Sequence, residues 1–175
     1  MNMNISVTSP FWEAGCFAHA QMPNVHERTF NKHEPVEKVI KWIHSTYLNH
    51  EGAIDTLSFC CHGWPGIVSI GTGFGKVKAH LFSSLHGAFA PDGRGILIHA
   101  CYVACATKDP LPEEKGVADA SGWGYEMMAA LAAATDTSVT AAIDYVAGIR
   151  GGFAFDDQRT MTVMPNGDAV FTNCQ

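Results

Sequence analysis

The stretch Gly95-Ile-Leu-Ile-His-Ala-Cys101, read together with Leu57-Ser-Phe-Cys-Cys-His62-Gly63, decides how this chain is read. Each is a short apolar run that stops at a reactive side chain. The first delivers a thiol, the second an imidazole followed by glycine. Apolar runs of this length flanked by glycine read as buried strands of a parallel sheet. Ligands of such sheets bind beyond the carboxyl ends of the strands, which is where Cys101 and His62 fall. If the two strands are neighbours, a thiol and a base face each other across a crevice.

Outward from these blocks, strands and helices alternate. Asn4 to Thr8 reads as a first strand ended by Pro10. Residues 11 to 33 give no clear pattern, and His19, His26 and His33 read as solvated loop residues, because metal ligands come in tighter pairs. Glu34 to Asn49 reads as an amphipathic helix with Pro35 in its first turn and Val36, Val39, Ile40, Ile43 and Tyr47 on one face. Glu34–Lys38 and Glu37–Lys41 are favourable i,i+4 pairs. The strand Ala53 to Cys61 comes next, closed by His62-Gly63-Trp64-Pro65-Gly66, and then the strand-like Ile67 to Ile70.

Gly71-Thr-Gly-Phe-Gly75-Lys76 has the order of a phosphate cradle but not its details. A dinucleotide fingerprint needs glycine at 76, and a P-loop needs Ser or Thr at 77, which is valine. The glycines read better as a turn into a helix from Lys76 to Phe89, with Val77, Leu81, Leu85 and Phe89 facing inward. Residues 106 to 122 form a long connection of the kind used as a lid or processing site, with Lys108 and Lys115 its basic residues. A helix Tyr125 to Thr135, a buried strand Val139 to Ile143, and a hairpin over Thr160–Met164 and Asp168–Thr172 around Pro165-Asn166-Gly167 complete the chain. The pattern predicts one domain over residues 1–175. Its expected architecture is a three-layer α/β/α sandwich with a mostly parallel sheet plus a C-terminal β-hairpin.

Composition narrows function. The 175 residues are 47% hydrophobic and 16% charged, with a net charge of −6 and only 11 basic residues. That balance argues against a nucleic-acid surface, which needs clustered Lys and Arg. No run approaches the ~18 apolar residues of a membrane span. The N-terminus lacks the features of a signal peptide, so the expected location is cytoplasmic, with any export requiring a leaderless route. The six cysteines are irregularly spaced, which predicts free thiols rather than disulfides, and no spacing completes a zinc site.

A cysteine nucleophile needs a base to make thiolate and donors for the oxyanion that forms on attack. His62 is the candidate base and Cys101 the candidate nucleophile. The backbone N–H groups of Gly63 and Cys101 are placed to point into the same crevice, and glycine at 63 lets a substrate carbonyl approach the main chain. Taken singly, Cys101 reads as a core residue and His62 as a turn histidine. The pairing at strand ends changes that balance. His99, two residues before Cys101, is a rival base or a buried polar side chain, and Cys60-Cys61 before His62 is an unusual pair.

An apolar strand ending in His-Gly, followed about forty residues later by one ending in Ala-Cys, resembles the pattern of the clan CD cysteine peptidases. That group includes caspases, legumain, clostripain, gingipains and separase. The sequence is also similar to uncharacterised bacterial caspase-like domains. The resemblance covers roughly residues 53 to 145. It implies a caspase-like fold and a hydrolase, namely a cysteine (thiol) endopeptidase with a His62–Cys101 dyad. It further implies no cofactor, no metal, and a peptide or protein as substrate. Clan members that cut after Arg or Lys hold that side chain with a carboxylate. Asp144 comes directly after the strand Val139 to Ile143 at the same rim, which makes it the candidate substrate-binding residue, the alternative being that it caps the next turn. Two other functions stay open on the sequence: a catalytically inactive caspase-fold interaction domain, and a nucleotide-binding α/β protein using Gly71 to Gly75.

Overall fold

Apolar runs of five to seven residues separated by helices can bury themselves only as neighbouring parallel strands, and the chain does this. A computed structural model describes residues 2–10, 24–108, 115–144 and 158–174. The strands are β1 (Met3–Thr8), β2 (Val25–Thr29), β3 (Ile54–Cys60), β4 (His62–Trp64), β5 (Ile67–Ser69), β6 (Phe74–Gly75), β7 (Gly95–His99), β8 (Val139–Ala142), β9 (Thr160–Val163) and β10 (Ala169–Thr172). The helices are α1 (Val36–Leu48), a 3₁₀ helix (Lys76–Leu85) and α2 (Gly122–Thr135). A seven-stranded sheet runs in the order β10-β9-β8-β7-β3-β1-β2, and β4-β5-β6 form a small separate sheet. From β2 through β8 neighbours are parallel, while β9 and β10 add antiparallel pairings at one edge. The protein is thus α/β with a mostly parallel sheet, and the expected terminal hairpin is the β9–β10 edge.

The connections from β2 to β3, β3 to β7 and β7 to β8 all step the same way along the sheet. Right-handed crossovers then put α1, the 3₁₀ helix and α2 on one face. The side chains agree: Leu57, Phe59, Ile96 and Ile98 join the core beneath the helices, together with Val39, Ile43, Phe82, Met127 and Leu131. Phe59, Phe74 and Phe82 meet edge-on or tilted at 4.8–6.0 Å between ring centres. The alternate positions Ser6, Thr8, Thr56, Ser58, Cys60 and His99 are buried too, although none belongs to that core cluster. The second helical layer expected over this opposite face is not among the described residues.

Helix α1 matches its expected span to within a few residues, and Val36, Val39, Ile40 and Ile43 are buried. Its N-terminus explains the glycines at 71–75. Thr72 Oγ1 accepts from the Val36 N–H at 3.2 Å, and the Thr72 N–H donates to Glu34 O at 2.8 Å. At Gly71, φ is +54° and a Cβ would lie 2.5 Å from Glu34 O. The loop with the order of a phosphate cradle therefore caps a helix of its own chain. The segment after it differs from expectation as well. It is a 3₁₀ helix, so its inward residues fall every three positions, at Ala79, Phe82 and Leu85. Val77, expected inside, is 85% exposed. Strand β2 is an addition to the expected elements, because as an edge strand with His26, Glu27 and Arg28 exposed it carries no apolar run. No helix among the described residues is long and apolar enough to cross a membrane.

Candidate active site

The register of β3 against β7 runs from Thr56↔Gly95 to Cys60↔His99. Two residues beyond this last pair come His62 and Cys101, both past the carboxyl ends of the strands. His62 is exposed and Cys101 half-buried. Both line a cleft of about 470 Å³, with Gly63, Trp64, Ile67, Ser69 and Tyr102 forming the rest of its wall. His99 is 3% exposed and lies below the rim, outside this lining.

The turn after β7 that carries Cys101 is held from several directions. Tyr102 has φ +57°, a left-handed conformation that costs a non-glycine residue about 1–2 kcal/mol. Its N–H donates to Asp144 O at 3.0 Å, that of Ala104 to Ala142 O at 2.9 Å, and that of Cys105 to Tyr102 O at 2.8 Å. The Tyr102 side chain is 2% exposed and anchors the turn from within. Strained backbone next to a reactive side chain, fixed by its surroundings, is a recurrent feature of functional sites.

Strands β4 and β5 turn back on each other through Pro65-Gly66, and Gly63 sits opposite Val68. In a two-residue hairpin the flanking pair, here Trp64↔Ile67, exchanges the hydrogen bonds. Gly63 then takes the non-bonded position, and its N–H points off the hairpin rather than toward β5. A Cβ at Gly63 would lie 2.5 Å from Val103 Cγ2, 2.7 Å from Ala100 Cβ and 2.8 Å from Cys101 O. The glycine therefore allows the hairpin to pack directly on the Cys101 turn, a requirement different from the expected approach of a substrate carbonyl. Gly66 closes the same contact: its N–H donates to Val103 O at 3.1 Å, and a Cβ there would sit 2.5 Å from Trp123 O.

The cysteines are not equivalent. Cys61, Cys101, Cys105 and Cys174 are free, whereas Cys60 is disulfide-bonded, which corrects the expectation of free thiols throughout. Its partner lies outside the described residues. Burial pushes the Cys61 thiol up to about 12; a hydrogen bond from the Ser69 backbone opposes the rise and the neighbouring Cys101 adds to it. Cys61 is thus held as an inert thiol, and Cys60-Cys61 does not act as a vicinal dithiol. Cys105 is buried and accepts the Val117 N–H at 3.2 Å.

Asp144 lies at the rim as expected, but its partners are internal. Its Oδ1 accepts from Arg159 Nη1 at 3.0 Å and from the Gly116 N–H at 2.7 Å, while its carbonyl receives the Tyr102 N–H. The carboxylate expected to meet a substrate guanidinium therefore holds one of the chain's own. It braces residues 115–117 against the end of β8. Of the long connection, residues 109–114 lie outside the described residues, Lys108 stands 5.4 Å from the Trp123 ring centre, and Lys115 is exposed.

The structure brings together His62, Gly63 and Cys101 and leaves Asp144 in a bracing role. Sequence reasoning missed Trp64, Ile67, Ser69 and Tyr102. The Pro65-Gly66 pair was the available signal for the hairpin that delivers the first three. Among the described residues no group of three or more His, Cys, Asp or Glu side chains is placed to hold a metal ion. Comparison with family models, curated proteins and solved structures finds no match.

Proposed function

We propose that this protein is a cysteine endopeptidase with Cys101 as nucleophile and His62 as general acid and base. The observation that carries the reading is that both side chains line one cleft, at the carboxyl ends of adjacent parallel strands. The clan CD resemblance of the two sequence blocks supports it independently, as does the half-exposure of Cys101 beside the fully buried thiol of Cys61.

The chemistry derives from these placements. His62 takes the Cys101 proton, and the thiolate attacks the scissile carbonyl carbon, forming a C–S bond and an oxyanion. The N–H groups of Gly63 and Cys101 are the candidate main-chain donors for that charge. Collapse of the intermediate breaks the C–N bond, and the His62 proton leaves with the amine. Water then enters, gives its proton to His62 and cleaves the C–S bond, releasing the acid and restoring the thiol. A mixed peptide pool with mass-spectrometric readout is the direct test. Wild type should cut it, whereas Cys101→Ala and His62→Ala should each lose at least about a thousandfold in rate. The double variant should lose little more, because the pair acts as a unit. Undiminished cleavage by Cys101→Ala would sink the dyad. Absence of any cleavage by wild type would favour a non-catalytic interaction domain on the same fold.

A further inference from the structure

A second cleft, of about 510 Å³, adjoins the one containing the proposed dyad, and Ile67 lines both. Its walls are Ile67 on β5, Phe74 on β6, Val77 at the start of the 3₁₀ helix and Trp123 at the start of α2. Ile67 is 44%, Trp123 53% and Val77 85% exposed. Large apolar side chains gathered around a concavity of this size mark a ligand site. At its edge Lys76 pairs with Glu126 at 3.1 Å, and Lys78 donates to Gly73 O at 3.3 Å while keeping its charge. The cleft therefore offers mainly apolar surface, with the Lys78 charge at its edge.

Its position relative to His62 says which part of a substrate reaches it. The general acid must stand beside the leaving amine, so residues C-terminal to the scissile bond depart past His62. His62 opens the hairpin whose second strand carries Ile67, so an extended peptide leaving the dyad on this side runs onto the second cleft. We propose that this cleft is a subsite for a bulky apolar side chain, aromatic or branched aliphatic, located C-terminal to the scissile bond. The proposal rests on the peptidase reading and assigns it a substrate class: peptides selected by their residues on the leaving side of the cut. Small fluorogenic substrates, whose leaving group is a dye rather than a peptide, leave this subsite unused and are turned over slowly.

The test uses internally quenched peptides of one sequence, varied only in the three positions after the cut through Phe, Leu, Lys, Asp and Gly. Burying one such side chain corresponds to a preference of about 10- to 100-fold in kcat/KM for Phe or Leu over Gly at one of these positions. Val77→Asp places a charge in the cleft from an exposed position, and Trp123→Ala removes one wall. Each should collapse the Phe-to-Gly ratio toward one, with thermal unfolding of both variants measured alongside. Cleavage without an apolar preference at any of the three positions overturns the subsite and leaves the peptidase reading intact. A preference that survives unchanged in both variants overturns the assignment to this cleft. If no peptide is cut at all, the peptidase reading fails and the subsite fails with it.

Discussion

Strands β3 and β7 lead two different lives along their length. In their middle, Leu57, Phe59, Ile96 and Ile98 are fully buried beneath the helices, in regular extended pairing. Two or three residues further on, at the carboxyl rim, His62 is exposed, Cys101 half-exposed, and Tyr102 left-handed. The backbone is regular in the first region and left-handed at Tyr102 in the second. The contrast separates what holds the fold from what the fold presents. Conformational cost is tolerated where surrounding hydrogen bonds fix it, and here it falls next to the candidate nucleophile Cys101.

Substitutions should reproduce this division. The largest effect expected is on stability, from Phe59→Ala in the buried region. Loss of an aromatic side chain packed on Phe74 and Phe82 should cost about 3–5 kcal/mol in denaturant unfolding. Cys101→Ala at the rim should change the same measurement by about 0.5 kcal/mol or less, as surface substitutions do. A comparable loss from both would erase the distinction. Gly63→Ala joins the two regions, because its Cβ meets Val103, Ala100 and the Cys101 carbonyl at 2.5–2.8 Å. Overpacking there should cost about 1–3 kcal/mol, and displacing Cys101 should lower kcat/KM by about tenfold or more. Wild-type kinetics in Gly63→Ala would mean that the hairpin and the Cys101 turn are not coupled.

Cys61 sharpens the comparison through pH. Its folded pKa of about 12 stands above the ordinary thiol value of 9.0 because burial disfavours the thiolate. Its contribution is fully present below pH 9 and is lost as pH rises from there toward 12, where the unfolded chain ionises and the folded one does not. Stability should fall over that window by up to about 1.4 kcal/mol per pH unit from this group. Cys61→Ala should show a shallower slope in equilibrium unfolding, and an unchanged slope would remove the thiol from the account. A small effect on stability is also expected of Asp144→Asn. Its ion pair with Arg159 is about a quarter exposed on both sides, so screening limits the loss to about 1 kcal/mol or less. Peptides with Arg, Lys or Leu before the cut should be affected equally. Selective loss of the Arg peptide would return Asp144 to substrate recognition.

The middle of the sheet is legible in the sequence and its rim only partly so. Strands β3 and β7 and helix α1 announce themselves, because a single repeating environment writes a single period into each. The dyad is readable as two side chains ending two such runs. Its enclosure is not. The small sheet is built from two three-residue strands and one two-residue strand, too short for any alternation to register, and the 3₁₀ helix shifts the inward positions to a spacing of three. An α-helical period puts Val77 inside for that reason, whereas it stands at the mouth of the second cleft. The Cys60 disulfide escapes because spacing alone does not reveal pairing. Asp144 is at its expected place, but its partner Arg159 comes from beyond the next stretch of chain, a distance over which sequence patterns carry no information.

The hydrogen bonds from Tyr102 to Asp144 and from Ala104 to Ala142 have a consequence in time. A chain made from its N-terminus exposes His62 and Cys101 well before β8 exists. Until Ala142 and Asp144 arrive to accept these bonds, two of the contacts that fix the turn are missing, and Cys101 rides on a less constrained segment. The nascent chain therefore carries both side chains before the full set of bonds around them is formed. The addition of β8 beside β7 supplies the missing acceptors, so the turn that carries Cys101 is completed by a late step of folding, after His62 and Cys101 have left the ribosome.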